Sequence, residues 1–344
     1  MTAVSELFDQ AMGFFERGEL EGVLGVLAKL QKVADASDAR LRFLELMVAS
    51  EEDDEFDEDP EALLEVGRAL LDDATTIGEP RHALFVVLEL GGLLAAAGEV
   101  DDVEHAMRAL AEREDLDEES AGDARLAWAS LVFEAQEDPA EALAILDEAS
   151  DELRERSTYA SLRAALYMEL DRDDEAVELL EQALARDDET ELHYQLGIVL
   201  RDLDRGEEAV EHLLTVRRRD LDDNEVDAGA PVDADEAKDL RRSLEELLET
   251  LPDPVLKAVA TASIRVERWP SEDAVREGCD PRAALAFEGV VDSDDADGHV
   301  DSLVIYRDVL IGAIDFDDDI VEVFAICLAE ELDRFFDLEL IPGM

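Results

Sequence analysis

Glu330, Glu331 and Arg334 lie within LAEELDRFFDLE, residues 328–339, and their spacing poses a chemical question. Positions i and i+4 of a helix share a face, so two imidazoles at 330 and 334 would converge on one tetrahedral ion, with residue 331 as general base for a bound water. This chain places a carboxylate at the first position and a guanidinium at the second. A guanidinium stays protonated and repels a cation, so Arg334 cannot ligate. Glu330 and Glu331 cannot share a substrate atom either, because adjacent helical residues diverge by about 100°. The residue types predict an inert site: no catalytic residue, no metal and no cofactor.

Other chemistry-bearing patterns are weaker. His82, His105, His193, His212 and His299 include no pair at i, i+4 spacing, and the two on the later repeats, His193 and His212, read as packing residues. In VDSDDADGHVDS (291–302), setting Gly298 at the sixth position of a calcium loop puts Ser293 and Val304 where acids are needed, so the segment reads as a solvated loop. Neither a phosphate-binding glycine loop nor a G-x-S-x-G elbow occurs. Cys279 and Cys327 stand far apart and read as free thiols of a reducing compartment.

Charge sets the environment. Lys and Arg number 30 against 93 Asp and Glu, a formal net charge of −63, with the acids spread along the chain. Self-repulsion on this scale is best tolerated where salt screens charge over a few ångströms, roughly 3 Å at 1 M. The composition resembles that of proteins from halophilic archaea. Nucleic acid and anionic membranes are unsuitable partners for such a surface. The acidic N-terminus lacks the pattern of an export signal, and HALFVVLELGGLLAAAGEV (82–100) is short for a membrane span and reads as a buried helix, so a cytoplasmic location is expected.

The elements around these residues are repetitive. DRDDEAVELLEQAL (171–184) and DRGEEAVEHLLTVR (204–217) superpose at an offset of 33 residues, and TYASLRAALYMEL (158–170) matches ELHYQLGIVLRDL (191–203) at the same offset. A period of that size with apolar residues at i, i+3, i+4 and i+7 predicts stacked helical hairpins. Ala164, Gly197, Ala176 and Ala183 supply the small residues that let paired helices approach. This pattern resembles the tetratricopeptide repeat, well over 157–189 and 190–222 and less closely over 123–156. Shorter likenesses at 17–30, 59–71 and 138–149 extend roughly six hairpins over residues 3–222. The resemblance implies a groove for a protein or peptide partner, lined by Thr158, Ser161, Ala165 and Met168 in one unit and by Glu191, Tyr194, Ile198 and Arg201 in the next.

NEVDAGAPVDADEAK (224–238) breaks the period and reads as an acidic linker over 223–237, dividing a repeat domain (1–222) from residues 238–344. Beyond it, a helix over 235–252, strands near 264–269, 283–291 and 302–310, and a helix over 317–336 predict a small α+β domain. Leu251-Pro252, Arg268-Trp269-Pro270, Leu285 to Val290, Ile305-Tyr306-Arg307 and Leu328 to Leu338, in that order, resemble the small zincin-like metallopeptidases of bacteria and archaea. On that pattern Glu330 and Arg334 replace the two histidines, Glu331 keeps the base position, and Leu340 takes the register of the third ligand, with Asp337 and Glu339 nearby. Phe336 and Leu338 keep the apolar side of the motif.

The expected architecture is therefore an all-α solenoid of tetratricopeptide-like hairpins followed by a zincin-like domain without its ligands. The expected function is a non-catalytic interaction scaffold. Two alternatives are a peptidase with a carboxylate metal site built from Glu330, Glu331 and Asp337, and a regulatory subunit that binds peptides in the old cleft.

Overall fold

A computed structural model describes residues 3–15, 17–52, 66, 69, 80–96, 98, 100–113, 116–224, 226–248, 259, 261–290, 299–313 and 320–336. Most of the expected repeat at 59–71, most of the 291–302 loop, and Asp337, Leu338, Glu339 and Leu340 lie outside them. The chain divides into two compact units, Met1–Asp187 and Asp188–Met344.

The first unit is a succession of helical hairpins. α1 (Ala3–Phe15) pairs with α2 (Leu20–Leu30), on which α3 (Ala39–Glu52) packs; α4 (Pro80–Ala96) pairs with α5 (Val100–Ala111). α6 (Glu118–Gln136) pairs with α7 (Pro139–Asp147), and after the short α8 (Asp151–Arg154) comes the pair α9 (Ser157–Glu169) and α10 (Asp173–Leu184). α9 also packs on α6 and α7, so this hairpin stacks on the one before it. Local chemistry marks the helix starts: the Asp117, Asp138 and Ser150 side chains accept the backbone N–H groups of Ser120, Glu141 and Leu153.

In the second unit α11 (Thr190–Asp202) and α12 (Gly206–Asp223) form a further hairpin, built like α9 and α10. Asp171 and Asp204 close the first helix of each pair in the left-handed region, at φ 55° and 58°. The arginine that follows grips an acid three residues on in both: Arg172 bonds Glu175 at 2.6 and 2.5 Å, and Arg205 bonds Glu208 at 2.8 and 2.7 Å. The repeat is thus one of turn chemistry as well as apolar spacing. A Cβ on Gly197 would stand 2.7 Å from Leu213 Cδ2, so only glycine lets α11 approach α12 this closely.

The remainder of this unit comprises α13 (Ala234–Leu248), β1 (Ser263–Glu267), α14 (Glu272–Arg276), β2 (Leu285–Val290), β3 (His299–Tyr306), α15 (Arg307–Gly312) and α16 (Ile320–Phe336). The sheet order is β1-β3-β2, with β1 parallel and β2 antiparallel to β3. Side chains alternate between faces. Leu285, Phe287, Leu303 and Ile305 meet Leu240, Leu244 and Leu248 of α13 and Phe324, Leu328 and Leu332 of α16, while Ala286, Val304 and Tyr306 face the other way.

The division between the units falls between Asp187 and Asp188, and α13 begins at Ala234. α12 is packed by α14 and tied to later chain, with Arg217 Nε donating to the Pro270 carbonyl at 2.5 Å. The strand expected over 302–310 runs instead from His299 to Tyr306 and turns into a helix at Arg307. There the Asp308 N–H donates to the Arg268 carbonyl and Arg307 reaches Glu236, which draws the chain off the sheet.

Candidate functional site

Glu331 stands on the sheet-facing side of α16 with Leu328 and Leu332, and is 7% exposed. Its Oε1 accepts the backbone N–H of Phe287 at 2.7 Å. The pairing of β2 with β3 explains why that N–H is available. Tyr306 N–H donates to the Ala284 carbonyl, so in the antiparallel ladder residues 284 and 286 bond β3 while 285 and 287 point their N–H and C=O groups to the free edge of β2. A carboxylate so held is a structural acceptor, and the pair ties α16 to the sheet edge. Among the described residues no group of three His, Cys, Asp or Glu side chains could hold a metal ion. With a guanidinium at position 334 and the Glu331 carboxylate committed to a backbone N–H, the residues do not fit the metal that the zincin resemblance implies.

A second constellation lies on α11, where Glu191, Tyr194, Ile198 and Arg201 form one line. Tyr194 Oη donates to Asp280 Oδ2 at 2.9 Å, and the Arg282 guanidinium sits 4.7 Å from the centre of the Tyr194 ring. Arg282 donates from Nε and Nη2 to Asp220 of α12 at 2.8 and 3.2 Å, and from Nη1 to Glu191 at 2.8 Å. The segment Asp280-Pro281-Arg282 is preformed by an Asx turn, in which the Arg282 N–H donates to Asp280 Oδ1 at 2.8 Å. Burial, aided by the charge of Asp280, pushes the Tyr194 phenol well above its usual range, and the bonds that Arg282 donates to Asp220 raise the guanidinium above its own. Both groups keep their protons, and the cluster is a fixed pattern of donors and acceptors.

Glu191 and Tyr194, expected in a partner groove, are thus engaged by a segment of the same chain. Arg201 is half-buried and makes one ion pair, Nε to Asp202 at 3.6 Å. Ile198 is half-buried between them. On α9 of the first unit Thr158 is exposed, and Ser161, Ala165 and Met168 are half-buried along the corresponding line.

Beside the α11 cluster is a cavity of about 480 Å³ lined by Tyr194, Arg201, Asp280, Arg282, residues 283–285, Val309, Ala313, Val323, Ile326, Cys327 and Glu331. Sequence spacing gave no sign of it, because its walls come from α11, β2, α15 and α16. Spacing also missed His193 and His212, whose Nδ1 atoms stand 2.7 Å apart across the α11/α12 hairpin. His193 Nε2 meets Asp188 Oδ1 at 2.7 Å, and Arg219 holds the other carboxylate oxygen of Asp188 at 2.6 Å. Asp188 thus holds the far side of the His193 ring while its near side faces His212 across the hairpin.

No protein-family model matches the chain, and no curated protein does. Among solved structures it is similar to MamA (residues 41 to the end) from Desulfovibrio magneticus RS-1, at 18% identity over 63% of this chain and 96% of that one, TM-score 0.31. A tetratricopeptide repeat protein from Parabacteroides merdae is similar at 15% identity over 62% and 92%, TM-score 0.35. The TPR2AB domain of yeast Sti1, in a complex described as with pHSP90, is similar at 13% identity over 64% and 92%, TM-score 0.27. At these scores the helical hairpins rest on the packing described above and not on the likeness.

Proposed function

We propose that the protein is a non-catalytic scaffold, adapted to concentrated salt, that holds protein partners along the first-helix faces of its hairpins. The observation that carries this reading is that one such face already binds polypeptide. Glu191 and Tyr194 of α11 hold Asp280 and Arg282 through directed bonds. Thr158, Ser161 and Met168 stand 33 residues earlier, at the positions of Glu191, Tyr194 and Arg201, and their side chains make no hydrogen bond or ion pair among the described residues. The C-terminal part, read as a zincin-like domain without its ligands, supplies the segment that occupies α11. No described helix is long and apolar enough to cross a membrane.

The test is stoichiometric co-purification from the native host at molar KCl, comparing the natural chain with Ser161→Arg and Met168→Glu. Loss of a defined partner in variants whose melting is unchanged supports the reading. A chain that carries no stoichiometric partner, or variants that retain it in full, overturns it.

A second reading, peptide binding in the cleft between α16 and β2, is favoured by the 480 Å³ cavity there.

A further inference from the structure

The cavity joins three features. First, its wall includes Leu285, whose N–H and C=O point to the free edge of β2; among the described residues no backbone group pairs with either. Second, Val309, Val323 and Ile326 give it an apolar side, and Ile326 is 50% exposed at its rim. Third, it contains a guanidinium with spare donors. Arg282 is spent on Asp220 and Glu191, whereas Arg201 has only the 3.6 Å contact from Nε to Asp202, which leaves its terminal nitrogens free to donate among the described residues. On a chain of net charge −63 this arginine brings uncommitted positive donors to a pocket wall.

The edge is short. In one direction Glu331 has taken the Phe287 N–H, so a visiting strand cannot extend its pairing there. In the other, the Ala283 N–H already donates to the Asp280 carbonyl at 3.2 Å and residue 284 bonds β3, so the pairing stops there too. A strand passing through would find bonds for about one residue, which suits a chain end and not an internal segment. The volume falls within the range of roughly 300–1,000 Å³ usual for ligand pockets.

Resting on the cleft reading above, and naming its ligand, we propose that this cavity binds the free C-terminus of an extended peptide. The terminal carboxylate takes the Nη donors of Arg201, the last residue's apolar side chain enters between Val309, Val323 and Ile326, and the backbone pairs with Leu285 across the open edge of β2. A bidentate guanidinium–carboxylate pair supplies orientation as well as attraction.

The probe is a pooled set of acetylated tetrapeptides with random internal positions and Leu, Ile, Val or Phe last, made once as free acids and once as C-terminal amides. Each pool is equilibrated with the full chain in 2 M KCl, and retained peptides are read by mass spectrometry. The expected result is retention of acids over amides by tenfold or more. Arg201→Gln should lose that preference, Arg201→Lys should restore part of it, and Cys327→Trp should fill the cavity and abolish retention. Melting of each variant confirms that it is folded; if Cys327→Trp does not fold, the Arg201 pair decides alone. Equal retention of acids and amides overturns the C-terminal assignment and leaves the cleft reading standing. No retention of either pool overturns both.

Discussion

The carboxylate of Glu331 and the backbone N–H of Phe287 meet at 2.7 Å across the edge of the sheet. The relationship gives the glutamate a task that needs neither metal nor substrate: it satisfies a buried donor that no strand pairs. Glu331→Ala should cost about 1–3 kcal/mol, the penalty for leaving a buried polar group unmet. Glu331→Gln, which retains an acceptor, should cost less. Denaturant melts at fixed KCl check both, and equal stability of the alanine variant and the natural chain would refute the anchoring role. Protein purified without chelator should also carry no stoichiometric divalent ion; a bound equivalent by elemental analysis would reinstate the peptidase alternative.

Arg282 and Tyr194 form the other anchor. Arg282→Met removes three directed bonds, and because the side chain is 32% exposed the expected loss is discounted to about 1–2 kcal/mol. Tyr194→Phe keeps the ring beneath the guanidinium and drops only the bond to Asp280, about 1 kcal/mol. The two sites share a network, so their effects should not add. A double-mutant cycle in thermal or chemical unfolding measures the coupling, and strict additivity would show that the cluster does not act as a unit.

Gly197 is the tightest point between α11 and α12. Gly197→Val places a branched side chain where even a Cβ would stand 2.7 Å from Leu213, and should destabilise by about 1–3 kcal/mol. Leu213→Ala alone should cost about 2–5 kcal/mol, since Leu213 is only 2% exposed. In the Leu213→Ala background the valine should cost much less, because it fills space the alanine vacates. Unchanged cost in that background would disprove the close-approach explanation.

What could be read from the sequence was local in sequence or repeated along it. Gly197 sits one helix before its neighbour Leu213, and the Asp-Arg turns at 171 and 204 return at a fixed interval, so spacing alone exposes both. Arg282 and Asp220 are 62 residues apart, and Phe287 and Glu331 are 44 apart; neither pair has a spacing that marks it. His193 and His212 escaped because an i, i+4 search covers one helix and these two face each other from paired helices. The end of β3 was misplaced because Val309 and Leu310 continue an apolar pattern, while what stops the strand is the bonding of Arg307 and Asp308 to Glu236 and Arg268.

Asp38 opens α3 and ties it to α1. Its carboxylate accepts from Arg40 Nε at 3.0 Å and Nη2 at 2.7 Å, and Arg40 in turn donates to Ser5 at 3.0 Å. The Arg40 bonds hold the Asp38 carboxyl below its ordinary value of 3.8. A depressed folded-state value means that the contribution is present in full above the ordinary value and is lost as pH falls through the lower, folded one. Asp38→Asn should therefore destabilise at pH 7 and converge on the natural chain as acid protonates Asp38. Paired melts down the acid range test this; a penalty that persists unchanged at the acid end would place its cause in packing.

Net charge governs the whole molecule more than any pair does. With 93 acids against 30 bases, repulsion falls as the screening length shrinks from about 10 Å at 0.1 M to about 3 Å at 1 M. The midpoint of thermal unfolding should rise steeply with KCl over that span, and continue upward more gently beyond it as exclusion of salt from the surface takes over from screening. Sodium sulfate at equal ionic strength should stabilise further, since a strongly excluded anion strengthens apolar burial as well as screening charge. Arginines paired at close range, such as Arg282 with Asp220 at 2.8 Å, are screened less, so variants there should keep most of their penalty in molar salt. A melting point indifferent to KCl between 0.1 and 1 M would mean that self-repulsion does not limit the fold.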